Sequence, residues 1–395
     1  MKPKSPLIAV FLTVMIDLLG FGIVMPLLPR YASEHGADGW LRGLLFACFS
    51  GMQFLFAPFW GRLSDRIGRR PVLLVGLGGS VASYLLFAVA ELTPLALPLL
   101  FASRIAAGIF GATISTASAT IADLTTPEQR GRGMALIGVA FGVGFTLGPV
   151  LGGLGHTLHV CAPGLIAATC SLLAFAYGWK NLPEPGEHKP AASGRGLGAP
   201  GLRAAMHAPQ VPRILLLAVL STAAFAMFES TLSVFTKQRM GLDIQQNGWL
   251  FAYIGICLML SQGLIVRRLM PRLREVRIAR TGALLLCAGL LLVWQVPTAA
   301  LLYAAVPVVV LGFAFLTPSL SSLVSLRTPG ETQGEVLGIY QSGLSLARII
   351  GPVAGNALQD LGIAFPYLAG GCALVLAIGL AFSVRDLKAA APSPA

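Results

Sequence analysis

Twelve times between Leu7 and Val384 the chain runs for about twenty residues with hardly a charge, and this restricts its fold more than any other feature. Such a run spans a bilayer as a helix, because a helix satisfies its backbone N–H and C=O groups from within. Of 395 residues, 55% are hydrophobic and 11% charged, against about 25% charged in soluble domains. The alternating segments of a transmembrane β-barrel are absent. The expected fold class is an all-α integral membrane protein.

Helices are expected near 7–28, up to the Gly61 stretch, and at 72–90, 95–122, 134–154 and 160–179. A second set follows near 213–236, 244–266, 277–295, 298–320, 335–358 and 362–384. Between them, 181–212 is rich in Pro, Gly, Ala and charge and reads as a cytoplasmic linker without a core of its own. The expected domains are a six-helix bundle over 1–180, the linker over 181–212 and a second bundle over 213–395. An internal repeat supports matched halves: Gly131, Gly148-Pro149 and Gly152 recur at constant offset as Gly334, Gly351-Pro352 and Gly355.

The net charge of +12 would point to nucleic acid in a soluble protein. Here its placement gives a better account. With both termini cytoplasmic, that side holds Lys2, Lys4, the Gly61 stretch, Arg130, Arg132, the linker, Arg267 to Arg280, Arg327, Arg385 and Lys388. The outer loops hold only Arg30, Arg42, Lys237 and Arg239, as the positive-inside rule requires. The six cysteines are scattered singly in apolar segments and read as small buried hydrophobes. The N-terminus leads into an apolar run without a small-residue cleavage site, which is expected to be a first membrane helix.

Charges within hydrocarbon are costly and are functional candidates by default. Asp17 lies mid-way along the first helix, and Glu229 interrupts the seventh, the corresponding element of the second half, nearer its outer end. A desolvated carboxylate favours its neutral form, so each can carry a proton or meet a cationic substrate. Arg104 has a permanent charge and is expected to pair with Asp17. Arg348 is deep enough to face the interior. The charged stretch Gly61-Arg62-Leu63-Ser64-Asp65-Arg66-Ile67-Gly68-Arg69-Arg70-Pro71 reads as a tight turn joining two helices. Asp65, Arg66, Arg69 and Asp123 are expected to latch this end, with Asp65 also placed to cap the eleventh helix near Gly334. In the fifth helix Gly144, Gly148, Pro149, Gly152 and Gly153 combine close approach with a bend. Further cavity candidates are Phe21, Ser115, Thr116, Ser230, Phe315, Tyr340 and Gln341.

The Gly61 stretch, with Gly61, Asp65, Arg66, Gly68, Arg69 and Arg70 in place, resembles the G-x-L-x-D-R-x-G-R-R loop between helices two and three of major facilitator transporters. Arg104 with Gly108 is similar to the fourth-helix motif of that superfamily, whose arginine is implicated in proton coupling. Gly144 to Gly153 is similar to its G-x-x-x-G-P-x-x-G-G antiporter motif. The resemblance implies the major facilitator fold, with two six-helix bundles, and the drug:proton antiporter branch. The first half is most similar to tetracycline efflux proteins, through Ile16-Asp17 to Pro29, Ser64 to Leu74 and Ile121-Ala122-Asp123. Those proteins carry an aspartate in the third helix where this sequence reads Val81-Ala82-Ser83-Tyr84.

The expected function is proton-coupled export of small amphipathic molecules by alternating access, from the inner membrane, by a monomer. No cofactor is expected beyond the proton gradient, and no nucleic-acid partner. A G-x-x-x-x-G-K-[ST] phosphate loop, which direct ATP drive would require, is absent. The alternative is a proton-coupled uptake symporter or a facilitator of a sugar, lipid or organic anion. An intramembrane enzyme is disfavoured, since His35, His156, His159, His188 and His207 all fall in loops or near helix ends.

Overall fold

A computed structural model describes residues 6–111, 113–125, 127–182, 199–270, 272–329 and 332–385, apart from some side chains within these ranges. Lys2, Lys4, Thr126, His188, Lys388 and half of the expected linker (183–198) lie outside the described residues, as do the side chains of Ser115, Arg130 and Arg132.

The described chain is helical. In the first half α1 (Pro6–Val24), α2 (Leu28–Glu34), α3 (Gly39–Ile67), α4 (Arg69–Ala90) and α5 (Ala96–Phe110) are followed by α6 (Thr113–Leu124), α7 (Pro127–Leu158) and α8 (Ala162–Asn181). After α9 (Ala199–His207), the second half holds α10 (Val211–Met240), α11 (Ile244–Leu260) with a π-helical turn over Ser261–Val266, and α12 (Arg267–Leu269). It ends with α13 (Glu275–Gln295), α14 (Ala299–Leu326), α15 (Gln333–Leu361) and α16 (Phe365–Ser383). Among the described residues, ten stretches are long and apolar enough to cross a membrane. The α5–α6 pair and α15 complete the twelve passes expected. Large apolar side chains such as Leu55, Leu172, Leu216, Leu292 and Leu376 point outward, where lipid would meet them.

Four expectations are corrected. The Gly61 stretch is not a loop, because α3 continues through it to Ile67 and only Gly68 breaks the helix. Its φ of 103° is one that a side chain would resist, which is why the break falls on a glycine. The expected polar loop from Arg30 to Arg42 contains helix α2, and both arginines are buried. The linker is partly structured: α9 packs on α10 and α15 and sinks Ala205 into the second-half core. The cysteines form no disulfide, but only Cys161 and Cys287 are buried, and Cys372 is exposed.

Within each half the glycines of the repeat set the packing. A methyl group placed on Gly144 would lie 2.7 Å from the Leu18 carbonyl oxygen, and one on Gly152 would lie 2.6 Å from that of Ile23. α7 therefore meets α1 backbone to backbone. In the second half Gly351 of α15 meets the Ala223 backbone of α10 in the same way, and Gly355 packs against Met227, chiefly its side chain. The two halves also join by matched contacts. A methyl on Gly43 of α3 would lie 2.5 Å from the Pro352 carbonyl oxygen, and one on Gly248 of α11 would lie 2.5 Å from that of Pro149.

Polar contacts reinforce these seams at the end of the bundle that carries His35. Arg30 donates to the carbonyls of Ser233 (3.4 Å) and Leu242. Arg42 Nη2 meets Asp360 Oδ1 at 2.8 Å, and the Gly39 N–H donates to Asp360 Oδ2 at 2.5 Å. Lys237 pairs with Glu34 at 2.9 Å. Among the described residues, every hydrogen bond and ion pair between the halves lies at this end. Beside this seam, Glu91 bonds His35 at 3.1 Å. Burial pushes the Glu91 carboxyl above its usual range, an effect the His35 contact offsets in part.

Because Gly43 and Gly248 face backbone that cannot give way, Gly43→Leu or Gly248→Leu is expected to force the halves apart at the His35 end. Distances between spin labels on α2 and α10 should broaden to longer values, and thermal stability in detergent should fall by about 1–3 kcal/mol. Labels that keep their spacing would show that the seam does not hold this end closed.

Candidate functional site

Below the seam the halves line two contiguous chambers of about 190 and 420 Å³. They share Phe141, Phe145, Ala226, Glu229 and Arg348, so these residues form the junction. Asp17, Phe21, Tyr84 and Arg104 line the first chamber, largely from the first half. Thr222, Phe225, Phe313 and Tyr340 line the second. The second chamber extends along α11 to Met259 and Gln262, towards the Gly61 end. There Gly61, Gly138, Gly263 and Gly338 have open space where a methyl group would stand.

Helical spacing aims these side chains. Tyr340, Leu344 and Arg348 are four residues apart on α15, as are Phe225 and Glu229 on α10 and Phe141 and Phe145 on α7, so each set shares a face. Asp17 accepts a hydrogen bond from Ser171 Oγ at 3.1 Å. Arg104 is fully buried; it donates to Ser103 Oγ at 3.0 Å and lies 5.7 Å from the centre of the Phe87 ring. Its Nε and Nη1 have no hydrogen-bond partner. The expected direct Arg104–Asp17 pair is therefore not formed. Instead Tyr84 stands close enough to both to interact with each charge. Glu229 and Arg348 interact electrostatically across the junction without a direct ion pair.

Of the other cavity candidates, Phe21, Ser230, Tyr340 and Arg348 line the chambers. Phe315 does not: it is buried against α13, over Gly282, because α14 turns its Phe313 face inward instead. Gln341 faces an adjoining cleft beside Tyr340. Thr116 is buried in α6, and the side chain of Ser115 lies outside the described residues. Ser83, where tetracycline proteins have an aspartate, is buried and donates to the Ser80 carbonyl, leaving Ser80 on the chamber wall. Gln53, Phe49, Phe145 and Phe313 were not foreseen as lining residues, and Phe145, four positions from Phe141, carried the clearest periodic signal. Near the seam, Asn356 donates to Ser230 Oγ at 3.2 Å and Gln359 to the Thr231 carbonyl at 2.9 Å, two further polar contacts not foreseen.

At the Gly61 end Arg69 is the hub. It meets Asp65 Oδ1 at 2.6 Å, Asp123 Oδ2 at 3.0 Å and Ser64 Oγ at 2.6 Å, all within the first half. Arg70 donates to the Trp179 carbonyl at 2.5 Å. Arg66, expected in the latch, is exposed and has no hydrogen bond or ion pair among the described residues, because the helix that continues to Ile67 turns it away. Asp65 is held by Arg69 rather than at the start of α15, whose first turn carries its own acid, Glu335. Gly153 faces Gln245 of α11 rather than α1, so the antiporter-like stretch touches both halves.

The sequence model of the Major Facilitator Superfamily matches residues 10–352. Mouse major facilitator superfamily domain-containing protein 10 is 32% identical over 411 residues, covering 91% of this chain and 88% of its own. The class D tetracycline resistance protein of Salmonella ordonez is 30% identical over 367 residues, covering 89% and 88%. The crystal structure of the human organic anion transporter MFSD10 (TETRAN) aligns with a TM-score of 0.72 at 29% identity, covering 96% of this chain and 100% of that one. The nucleoside transporter NupG aligns at 0.80 with 14% identity, covering 97% and 100%, a likeness of fold alone. With twelve helical passes around a central two-chambered cavity, this multi-pass membrane protein belongs to the Major Facilitator Superfamily, a non-enzymatic class of transporters for small molecules.

Proposed function

We propose that this protein is a proton-coupled exporter of amphipathic aromatic small molecules, working by alternating access. The observation that carries this reading is the cavity itself. It is bounded at the His35 end by direct contacts between the halves, and lined by a carboxylate from each half, Asp17 and Glu229. In this reading the Gly61 end and both termini face the cytoplasm, the membrane is the inner one, and the unit is a monomer. Substrate entering from the cytoplasm meets Asp17 and Glu229 in the central cavity. Rocking of the halves about the seams exposes the cavity outside, where the substrate leaves and protons take the carboxylates. One charge moving through 100 mV supplies about 2.3 kcal/mol, enough to sustain a useful gradient. The similarity to tetracycline resistance proteins supports export.

A second reading, transport of an organic anion, is favoured by two arginines on the chamber walls and by the similarity to human MFSD10.

In proteoliposomes with an imposed pH gradient, Asp17→Asn or Glu229→Gln is expected to cut gradient-driven movement of a fluorescent amphipathic dye by roughly tenfold or more. If both variants leave it intact, the coupling scheme is wrong. Arg69→Ala, which releases Asp65 and Asp123 together, should change the balance between the two conformations without abolishing proton coupling. Arg66→Ala should do neither. Accessibility of single cysteines at the two ends to a charged thiol reagent reads that balance, and equal effects of the two substitutions would refute the hub role of Arg69.

A further inference from the structure

We propose that the substrates of this cavity carry an anionic group, received by Arg348, joined to a planar aromatic body that lies between the phenylalanines of the two halves. The inference rests on the chambers being the transport site and adds the chemical class they take.

Arg348 sits at the junction and lines both chambers. It makes no hydrogen bond or ion pair with any described residue, and its nearest opposite charge, Glu229, interacts with it only across space. A guanidinium offers five N–H donors in a fixed fork that matches the paired oxygens of a carboxylate or sulfonate. The neighbouring walls, Phe141, Phe145 and Ala226, are apolar, so a charge-assisted hydrogen bond formed there is less weakened by water than one on the protein surface.

The charge inventory points the same way. The chamber walls hold two carboxylates and two arginines. The carboxylates can lose their charge by taking a proton, but the arginines cannot. Whenever either carboxylate is protonated the lining is net positive, and it is never net negative. A molecule with only a positive charge always meets two fixed charges of its own sign.

The aromatic part of the proposal comes from ring geometry. Phe225 and Phe313 are stacked, with centroids 3.8 Å apart and planes 4° from parallel, forming one rigid aromatic pair on the wall of the second chamber. Across the cavity Phe141, Phe145 and Phe21 form a chain of ring contacts with centroids 6.1 and 5.9 Å apart. A planar ring fits such walls with stacked or edge contacts on both sides.

The test is equilibrium binding to the purified protein in detergent near neutral pH, by calorimetry. The probes are naphthalene-2-sulfonate and its trimethylammonium counterpart. The sulfonate is expected to bind roughly tenfold or more tightly than the cation. Arg348→Gln should remove that preference by weakening the sulfonate without weakening the cation, and Arg348→Lys should retain part of it. Glu229→Gln, which removes the opposing charge, should tighten sulfonate binding, and Phe225→Ala should weaken both probes alike. Thermal unfolding of each variant shows whether it is folded. If Arg348→Gln does not fold, Arg348→Lys and Glu229→Gln carry the test. The proposal is overturned if the wild type prefers the cation, or if sulfonate affinity is unchanged in the folded Arg348 variants or not raised by Glu229→Gln. No gradient is involved, so a failure of proton coupling would leave this result standing, and the reverse also holds.

Discussion

Two helices in lipid gain little by burying leucines against each other, because the tails they leave are as apolar as the partner they meet. What holds the halves of this protein together must therefore be close approach of backbone and a few well-made polar contacts. The seams supply both. Gly43 against the Pro352 carbonyl and Gly248 against the Pro149 carbonyl are equivalent contacts in the two halves. Each places a small residue of one half on the proline of the other half's glycine-rich helix. Each such proline lacks an N–H, so the carbonyl four residues before it loses its helical partner and the helix is free to bend there. The joint between the halves and the flexible point of α7 and α15 thus coincide. A structure that must open at either end without unfolding needs its bends at its pivots.

Charge placement follows from the same solvent. Arg30 and Arg42 look in the sequence like outer loop charges, yet both are buried and bonded across the seam, Arg42 to a carboxylate and Arg30 to carbonyls. Their cost of burial is offset only while the His35 end is closed. In the proposed alternating access, opening of that end would put water in place of Ser233, Leu242 and Asp360, so closure there would be reversible in a way that an apolar plug would not be. The Arg69 hub differs, since Asp65 and Asp123 are partly exposed and its contacts stay inside one half. Exposed pairs of this kind contribute about 0–1 kcal/mol each. Such an amount suits biasing a balance of conformations rather than locking one.

Much of this was legible in the sequence. Apolar length gave the twelve passes, the glycine–proline repeat gave the matched halves, and intramembrane charge gave Asp17, Glu229, Arg104 and Arg348 on one cavity. What escaped was set by tertiary context. Nothing local distinguishes a charged loop from a charged helix end, so Gly68 alone carried the break between α3 and α4. Phe313 and Phe315 are two residues apart on α14, and only the packing over Gly282 decides that Phe315 turns away from the cavity. The missing Arg104–Asp17 pair has the same origin. The sequence gives two opposite charges at membrane depth, but Tyr84 from a third helix stands where both can interact with it.

Arg348 and Glu229 also bear on the direction of coupling, because binding linkage is reciprocal. An anion seated on Arg348 cancels the positive charge that favours ionised Glu229, so it favours a proton on Glu229. A purely anionic substrate would then bind together with a proton and move in the same direction. A zwitterion is different, since its positive end beside Glu229 takes the place of the proton and the two exclude each other, the condition for exchange. In the proposed proton-coupled scheme, a permanent charge on one wall and a removable one opposite would let the same cavity run as symporter or antiporter according to the charge of what it carries. The two proposed readings, export and organic-anion transport, would then be the two signs of one electrostatic linkage, and the second charge on the substrate would select between them.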